Sequence, residues 1–394
     1  MAENVRKQIE NQVSKDEVKK LMIRLLQKPS FQTDLFESDP MIIDFIKNDV
    51  YGELKDSGVK SITLDPMSNL IVKIKSNRGG PSLMLLSYAM TPAPGAMKDP
   101  FSGKVVPGEQ YGLRGECILG RGACEQKGTL AAMMTTAEIL NNLDEEPAGD
   151  IVFVVSTAGE TGRHDSLKQV IEKDGIKTDQ GVQSGEPDIQ LGNKGRLDVI
   201  VNVEGKASHS SVPWEGINAI EGAFKVYGKL GKLMPNPTEK SHPVLGKSTF
   251  TPIYIESFPR ATHTVQARCD MRFDRRLLPG ESPEFALNQV RDAVGSVDPF
   301  RVSVQGGPFM YPSEVAKDSA VALRLSKAIS ALLGKEPKYC YSHQALDAGY
   351  MNVMGIQTIC YGSGQYRFAH TDIDMSSVED TVDVAKSLAY MALT

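Results

Sequence analysis

Four short segments of this 394-residue chain place carboxylates and a histidine beside turn-forming glycines. The first reads Gly120-Arg121-Gly122-Ala123-Cys124-Glu125 and continues through Gly128 into a helix-forming run. The others carry Glu160, Glu186 and His370, within Ala-Gly-Glu-Thr-Gly, Gly-Glu-Pro and Ala-His-Thr. Carboxylate oxygens and imidazole nitrogens are ligands that suit Zn²⁺, Mn²⁺ and Co²⁺. The residue types are therefore those of a metal-dependent hydrolase.

The elements that must position these side chains follow from hydrophobic periodicity. Strands are predicted at 61–64, 69–74, 82–86 and 150–156, and helices are predicted from Ser14 to Lys55 and after Gly128. The Pro- and Gly-rich stretch from Pro92 to Gly115 predicts a long loop. Alternating strands and helices are typical of an α/β fold with a mostly parallel sheet flanked by helices. In such sheets ligand groups gather where strands end, which is where the carboxylates lie.

The pattern of predicted elements changes near Gly195, where longer strands, one with alternating apolar residues, accompany two helices. After Pro312 the alternation of helices and strands returns. A chain of this length is also expected to form more than one domain. We therefore predict a catalytic domain in two parts, 1–194 and 311–394, interrupted by an inserted α+β dimerisation (lid) domain at 195–310.

Charge, apolar stretches and cysteine content argue against nucleic-acid-binding, membrane and secreted classes of protein. The net charge is −5 and no block of Lys and Arg occurs, which argues against nucleic acid as a partner. No apolar stretch reaches the roughly 20 residues of a membrane span, and the amino terminus lacks a secretory pattern. Five scattered cysteines indicate reduced thiols. The expectation is a cytoplasmic protein that acts on a small-molecule substrate.

Taken together, the motifs resemble the zinc-dependent family that contains aminoacylase, carboxypeptidase G, succinyl-diaminopimelate desuccinylase and acetylornithine deacetylase. Beyond the Gly-Arg-Gly-Ala turn, the strongest match is the segment 205–220, Gly-Lys-Ala-Ser-His-Ser-Ser-Val-Pro-Trp-Glu-Gly-Ile-Asn-Ala-Ile. In that family two metal ions are bridged by a carboxylate. The resemblance implies the zinc-peptidase-like fold, a bound divalent metal and a homodimer.

The resemblance also assigns roles position by position. It implies that Glu125 occupies the position of the bridging carboxylate, that Glu160 and His370 bind the second metal, and that Glu186 binds the first. His209 matches the histidine that reaches across the family's dimer interface to polarise the substrate carbonyl, as an oxyanion donor would.

Three positions depart from the family pattern. Tyr88 stands where the family has the histidine of the first metal, and Met90 stands where it has the aspartate that orients that histidine. Gly159 replaces the general base. The second-metal set is intact and the first is not, so we predict one metal per chain, Zn or Mn with Co as a further option. Glu186 is then the hypothetical general base.

Substrate contacts are predicted at four positions. Tyr88 is expected to face the site, because it stands at the position of the family histidine. His263 aligns with a family asparagine. Arg275, or alternatively Arg276 or Arg272, could pair with an acidic group, since arginine binds carboxylates with two parallel hydrogen bonds. His343 is a further candidate without a family counterpart.

The expected function is hydrolysis of an amide or amine C–N bond, other than an ordinary peptide bond, in a small acidic molecule through a metal-activated water. An activated substrate would need less help from the missing base. The alternative is a catalytically inactive relative that retains the fold as a binding or interaction protein. Metal content separates these two hypotheses.

Overall fold

A computed structural model describes residues 2–394. The chain divides into two units. The first comprises everything up to Gly192 together with Val315–Cys340 and Tyr350–Thr394. The second comprises Asn193–Glu314 and Tyr341–Gly349. The segment 341–349, which the sequence analysis assigned to the catalytic part, therefore belongs to the second unit.

The α-helices are distributed along the chain as follows. They are α1 (Ala2–Gln12), α2 (Lys15–Leu26), α3 (Pro40–Asp44), α4 (Tyr51–Asp56), α5 (Gly128–Asn142), α6 (Asp165–Lys168), α7 (Ala219–Leu230), α8 (Pro283–Val294), α9 (Ala320–Leu333), α10 (Ala348–Val353) and α11 (Val378–Leu393).

The strands are numbered in the same way. They are β1 (Ile62–Leu64), β2 (Leu70–Ile74), β3 (Leu83–Tyr88), β4 (Lys104–Pro107), β5 (Glu116–Leu119), β6 (Ile151–Ser156), β7 (Gln180–Gln183), β8 (Ile189–Asn193), β9 (Gly195–Glu204), β10 (Ser208–His209), β11 (Ser241–His242), β12 (Gly246–Lys247), β13 (Thr249–Phe258), β14 (Thr264–Val265), β15 (Arg268–Leu277), β16 (Arg301–Met310), β17 (Ser313–Glu314), β18 (Tyr339–Ser342), β19 (Gln357–Cys360) and β20 (Met375–Ser377).

The main sheet of the first unit is parallel at its centre. Its strands follow the order β1–β2–β6–β3–β7–β19–β8, and the pairs β6/β3, β3/β7 and β7/β19 are parallel. Every residue of β3 and β6 is buried, as expected for central strands covered on both faces. The predicted α/β fold with a mostly parallel sheet is confirmed.

A smaller sheet of order β20–β5–β4 lies beside the main one in the first unit. Strands β20 and β5 are antiparallel, with Met375 opposite Leu119. This pairing places the turn after β5 next to the segment before β20. Strand β4 lies inside the stretch predicted as a loop, so that prediction is wrong for Lys104–Pro107, where a short apolar pair allows pairing with β5.

The predicted helix from Ser14 to Lys55 is interrupted. Helix α2 ends at Leu26, and the helical structure resumes at Pro40. Proline disfavours a helical conformation in the residue before it, and Pro29 follows α2 closely. Pro40 occupies the first turn of α3, where its missing N–H group would have no intrahelical partner.

The second unit is a four-stranded antiparallel sheet of order β13–β15–β9–β16 packed against α7 and α8. Its core uses alternate positions of β9, namely Val199, Val201 and Val203, as the twofold side-chain period of a strand requires. Strand β13 is an edge strand, and Ile253 and Ile255 on it are about half exposed, at 50% and 58%.

Candidate metal centre

Three predicted metal ligands meet in the first unit. His370 Nε2 lies 3.1 Å from Glu125 Oε2 and 3.7 Å from Glu160 Oε2. One potential ligand atom from each residue falls within 4.8 Å of the others. Among the described residues 2–394, Glu125, Glu160 and His370 are the Asp, Glu, His or Cys side chains that lie close enough to one another to hold one metal ion. We refer to Glu125, Glu160 and His370 as the carboxylate–histidine cluster.

The secondary structure explains why residues so distant in sequence converge. Glu160 follows the carboxyl end of β6. Glu125 lies in a π-helical turn, Ala123–Lys127, between β5 and α5, and His370 precedes β20. Because β5 and β20 are paired, their connected segments approach each other at the edge where the parallel strands end. This is the edge at which α/β sheets usually bind ligands.

A buried lysine anchors the far end of the Glu125 turn. The Lys127 ammonium group donates to the carbonyl oxygen of Leu25 at 3.0 Å and lies 4.4 Å from the centre of the Phe45 ring. Burial lowers the pKa of Lys127 to about 7. The lysine therefore satisfies a carbonyl at the carboxyl end of α2 and ties that helix to the turn.

The electrostatics of the cluster suit a cation. Burial, reinforced by the charge of Glu125, raises the pKa of Glu160 to about 7. The hydrogen bond with Glu125 raises the pKa of His370 to about 9. Two facing carboxylates repel each other, and a positive charge between them relieves that repulsion. A donor set of two carboxylates and one imidazole fits Zn²⁺, Mn²⁺ or Co²⁺.

Gln126 fixes the orientation of Glu160. Its side chain is 3% exposed, and Nε2 donates to Glu160 Oε1 at 2.7 Å. This leaves Glu160 Oε2 as the oxygen that faces His370. Supporting hydrogen bonds of this kind orient metal ligands, and sequence analysis did not single out Gln126.

An unpredicted carboxylate, Asp374, holds the turn that carries Glu125. Its Oδ2 accepts from Gly122 N at 2.7 Å and its Oδ1 accepts from Cys124 N at 2.9 Å. Arg121 Nη1 lies 3.3 Å from Oδ2. Burial raises the pKa of Asp374 to about 6 despite these donors. A sequence signal existed, because this acidic residue directly precedes the buried strand β20.

Glu186 lies near the cluster's edge of the sheet but outside the group itself. It follows β7, and its Oε1 accepts from Tyr366 N at 3.0 Å. Its own backbone carbonyl accepts from Gly362 N at 2.9 Å. The side chain is half-buried, and burial raises its pKa. The carboxylate is thus held by the loop that leads to His370.

The three positions that depart from the family pattern lie on neighbouring strand ends. Tyr88 ends β3 and is 8% exposed, and Met90 is fully buried. Gly159, after β6, lies against Met90: a Cβ atom added at Gly159 would be 2.4 Å from the Met90 carbonyl oxygen. We refer to Tyr88, Met90 and Gly159 as the altered wall.

Two predicted site residues are neighbours in the second unit. His209 on β10 is exposed and pairs in register with Thr264 of β14, and His263 immediately precedes that strand. The backbone carbonyl of His263 accepts from Ser210 N at 2.8 Å. His263 adopts φ of 60°, which is uncommon for a residue other than glycine.

The prediction that Arg275 contacts substrate is not supported by its position. Its side chain is 1% exposed and lies on the buried face of β15, with Nη1 3.6 Å from Glu281 Oε2 and Nη2 donating to Gln289 Oε1 at 3.3 Å. An enclosed guanidinium that already has a carboxylate partner cannot reach a dissolved substrate. His343, in contrast, is an exposed residue, and its pKa is lowered by partial desolvation and by the charge of nearby Lys194.

Comparison with known proteins identifies the family of the chain. The profile of Peptidase family M20/M25/M40 matches residues 91–394. The chain belongs to this family. The resemblance inferred from the sequence is thereby confirmed, and the protein is an M20 metallohydrolase.

Individual relatives of this M20 protein agree in fold. It is 28% identical over 369 residues, 87% of each chain, to the uncharacterised protein YgeY of Escherichia coli K12. It is 24% identical over 309 residues to a succinyl-diaminopimelate desuccinylase of Rhodospirillum centenum, covering 75% of this chain and 74% of that one. A solved M20 metallo-carboxypeptidase of Sulfolobus solfataricus superposes with a TM-score of 0.75 at 18% identity, covering 96% and 99% of the two chains.

Within residues 2–394, no helix is both long and apolar enough to cross a membrane.

Proposed function

We propose that this M20 protein is a metal-dependent hydrolase that cleaves an amide or amine C–N bond, other than an ordinary peptide bond, in a small acidic molecule. One divalent ion per chain, Zn²⁺, Mn²⁺ or Co²⁺, is held by Glu125, Glu160 and His370. The observation that carries this proposal is the convergence of these three side chains within 4.8 Å, while the first-metal histidine position is occupied by Tyr88.

The reaction divides between the cation and the chain. When bound, the cation would act as a Lewis acid and lower the pKa of water towards neutrality. Glu186 is proposed as the general base that takes the proton from the attacking water. Its raised pKa supports this role, because a base whose pKa is closer to the working pH both accepts and releases a proton readily. The backbone N–H of Tyr366 keeps the carboxylate oriented.

His209 is proposed as the donor that polarises the substrate carbonyl. Its Nδ1 lies 3.2 Å from Ser211 N, whose N–H can only donate. Nδ1 is therefore the acceptor, and the neutral ring carries its proton on Nε2. The Nε2–H group of an exposed imidazole is suited to hydrogen bonding with a developing oxyanion.

Substrate selection is assigned to Tyr88, His263 and His343. With Arg275 enclosed, the two exposed imidazoles are the predicted residues able to donate to a substrate carboxylate. Tyr88 is proposed to contact the substrate because it ends β3 at the position of the family histidine.

We also propose that the protein is a homodimer that pairs through β13 and α7. Strand β13 is an unpaired edge of the second-unit sheet, and Ile253, Tyr254 and Ile255 on it are 50%, 42% and 58% exposed. On α7, Phe224 and Tyr227 are 66% and 43% exposed. Exposed apolar edges promote pairing with another chain, and an antiparallel copy of β13 would extend the sheet symmetrically.

The dimer is tested by placing a charge on that edge. Ile255→Lys should convert the dimer to a monomer in analytical ultracentrifugation. Leu323→Lys, at an equally exposed apolar residue on α9, is the matched control and should leave the mass unchanged. A dimer that survives Ile255→Lys would contradict pairing through β13.

The catalytic proposal is tested by metal analysis followed by a substrate screen. Protein purified without chelator is expected to contain one equivalent of metal by inductively coupled plasma mass spectrometry. With that metal restored, it should hydrolyse a member of a panel of amides, ureas and aryl amines. Two equivalents of metal would refute the count. No tightly held metal and no turnover would favour the non-catalytic relative.

A further inference from the structure

The carboxylate of Asp374 is enclosed and has backbone donors on both oxygens. Its side chain is 1% exposed, and it accepts from the N–H groups of Gly122 and Cys124 at 2.7 and 2.9 Å. Both donors belong to the turn that carries Glu125. Hydrogen bonds from N–H groups to a carboxylate are about twice as strong as those between neutral groups.

Asp374 also lies in the segment that presents the other end of the cluster. It follows His370 by one short turn, and its backbone carbonyl accepts from Gly120 N at 3.0 Å. From there the chain continues into β20, whose Met375 pairs with Leu119. One residue thus connects the Glu125 turn and the His370 segment through its side chain and its backbone.

Each connected segment contains a residue with positive φ. His370 has φ of 58°, and residues other than glycine adopt this left-handed region at an energetic cost. Gly122 has φ of 82°, and a Cβ atom there would lie 2.2 Å from Thr91 Cγ2. The His370 conformation persists only where the surrounding structure holds it, and the hydrogen bonds of Asp374 tie the segment after His370 to the Glu125 turn.

We infer that Asp374 is a positioning residue that sets the separation of Glu125 and His370 before the metal binds. Arg121 supports it, since its Nη1 lies 3.3 Å from Asp374 and its Nη2 donates to Pro94 O at 2.9 Å. This inference rests on the proposed metal site and adds a residue that does not touch the metal. Loss of Asp374 should therefore weaken metal binding through its effect on the ligands, as loss of supporting partners does by roughly 10–100-fold.

The test compares two buried carboxylates that differ in location. Asp374→Asn preserves shape but turns one acceptor into a donor facing a backbone N–H. Glu281→Gln is the matched control, because Glu281 is also buried, accepts from Leu278 N at 2.9 Å and lies 3.6 Å from a buried arginine, Arg275. Metal affinity of the apoprotein is measured by isothermal titration calorimetry with Zn²⁺ and Mn²⁺. Amide hydrogen exchange at Gly122 and Cys124 is measured in the same samples.

The expected result is a tenfold or greater loss of metal affinity and faster exchange at Gly122 and Cys124 in Asp374→Asn only. Both variants should lose thermal stability. Equal metal affinity in the wild type and Asp374→Asn would overturn the inference while leaving the proposed function intact. A wild type that binds no metal would overturn both.

A second variant covers the case in which Asp374→Asn does not fold. Asp374→Glu keeps the charge beside Arg121 but displaces the carboxylate by one methylene group. If Asp374 positions the ligands, this variant should also lose metal affinity by tenfold or more. Unchanged affinity in Asp374→Glu would show that charge alone is needed, and would overturn the positioning role.

Discussion

Two neighbouring regions of the first unit offer a cation different surroundings. In the carboxylate–histidine cluster, Gln126 Nε2 donates to Glu160 Oε1 at 2.7 Å, and His370 Nε2 lies 3.1 Å from Glu125 Oε2. In the altered wall, the corresponding positions are a tyrosine, a buried methionine and a glycine. Under the proposed assignment, the second-metal positions keep their ligand types, whereas the first-metal set keeps Glu186 and the shared Glu125 but has Tyr88 in place of its histidine.

The changes in the altered wall are physically coupled. Gly159 lies against the Met90 carbonyl so closely that a Cβ atom would be 2.4 Å from that oxygen. The replaced general base and the replaced orienting aspartate are therefore in contact, and each substitution depends on the backbone arrangement of the other. Restoring a single family residue should not restore the family's site.

The largest expected effect is on the cluster. His370→Ala should reduce metal affinity by more than the roughly 100-fold that loss of a supporting residue can cost, because it removes a ligand itself. Calorimetric titration of the apoprotein measures this. His242→Ala, which removes a histidine paired with Glu314 in the second unit, should leave metal affinity unchanged. Equal affinity in His370→Ala and the wild type would show that the cluster does not hold the metal.

Glu186 belongs to neither region. Its substitution tests whether turnover can be lost while metal affinity is retained. Glu186→Gln should bind one metal with wild-type affinity but lose about 10²–10⁴-fold in turnover, the usual contribution of a positioned base. Glu239→Gln, at an exposed carboxylate paired with Lys247 in the second unit, is the control and should retain turnover. A Glu186→Gln variant with full activity would remove Glu186 from the mechanism.

The close packing in the altered wall is tested by the free energy of unfolding of variants at Gly159. Gly159→Ala should lower the free energy of unfolding by about 1–3 kcal/mol, because the new Cβ atom must displace the Met90 carbonyl. Urea unfolding measures this. Gly52→Ala in α4 is the control, since a Cβ atom there meets nothing within 4 Å and alanine favours a helix. Gly159→Glu should not raise turnover. An increase would mean that the wall can still accept a base.

The fold and the cluster could be predicted from the sequence because their signals are local. Glu125, Glu160 and His370 each lie in a short motif, and the alternation of strand and helix patterns along the chain predicts the mostly parallel sheet. Asp374 precedes a buried strand, but that local signal does not reveal its role, which depends on backbone N–H groups about 250 positions away in the sequence. The contact between Gly159 and Met90 was hidden for the same reason.

Arg275 is a different case, because strand alternation alone does not say which face of β15 is buried. Along β15, Met271, Phe273 and Leu277 share one face and are buried. The twofold period of a strand places Arg275 on that same face. An arginine there requires an internal partner, which Glu281 supplies.

The smallest expected effect concerns pH and applies to the cluster alone. In the metal-free protein His370 has a pKa of about 9 and Glu160 a pKa of about 7, while a metal binds the deprotonated forms. Binding between pH 7 and 9 must therefore release the His370 proton, so metal affinity should rise about tenfold per pH unit there, more steeply below pH 7, and level off above pH 9. Titrations in buffers of different ionisation enthalpy count the protons released. An affinity independent of pH between 7 and 9 would show that the metal does not displace a proton from His370, and the close contact between His370 and Glu125 would then need another explanation.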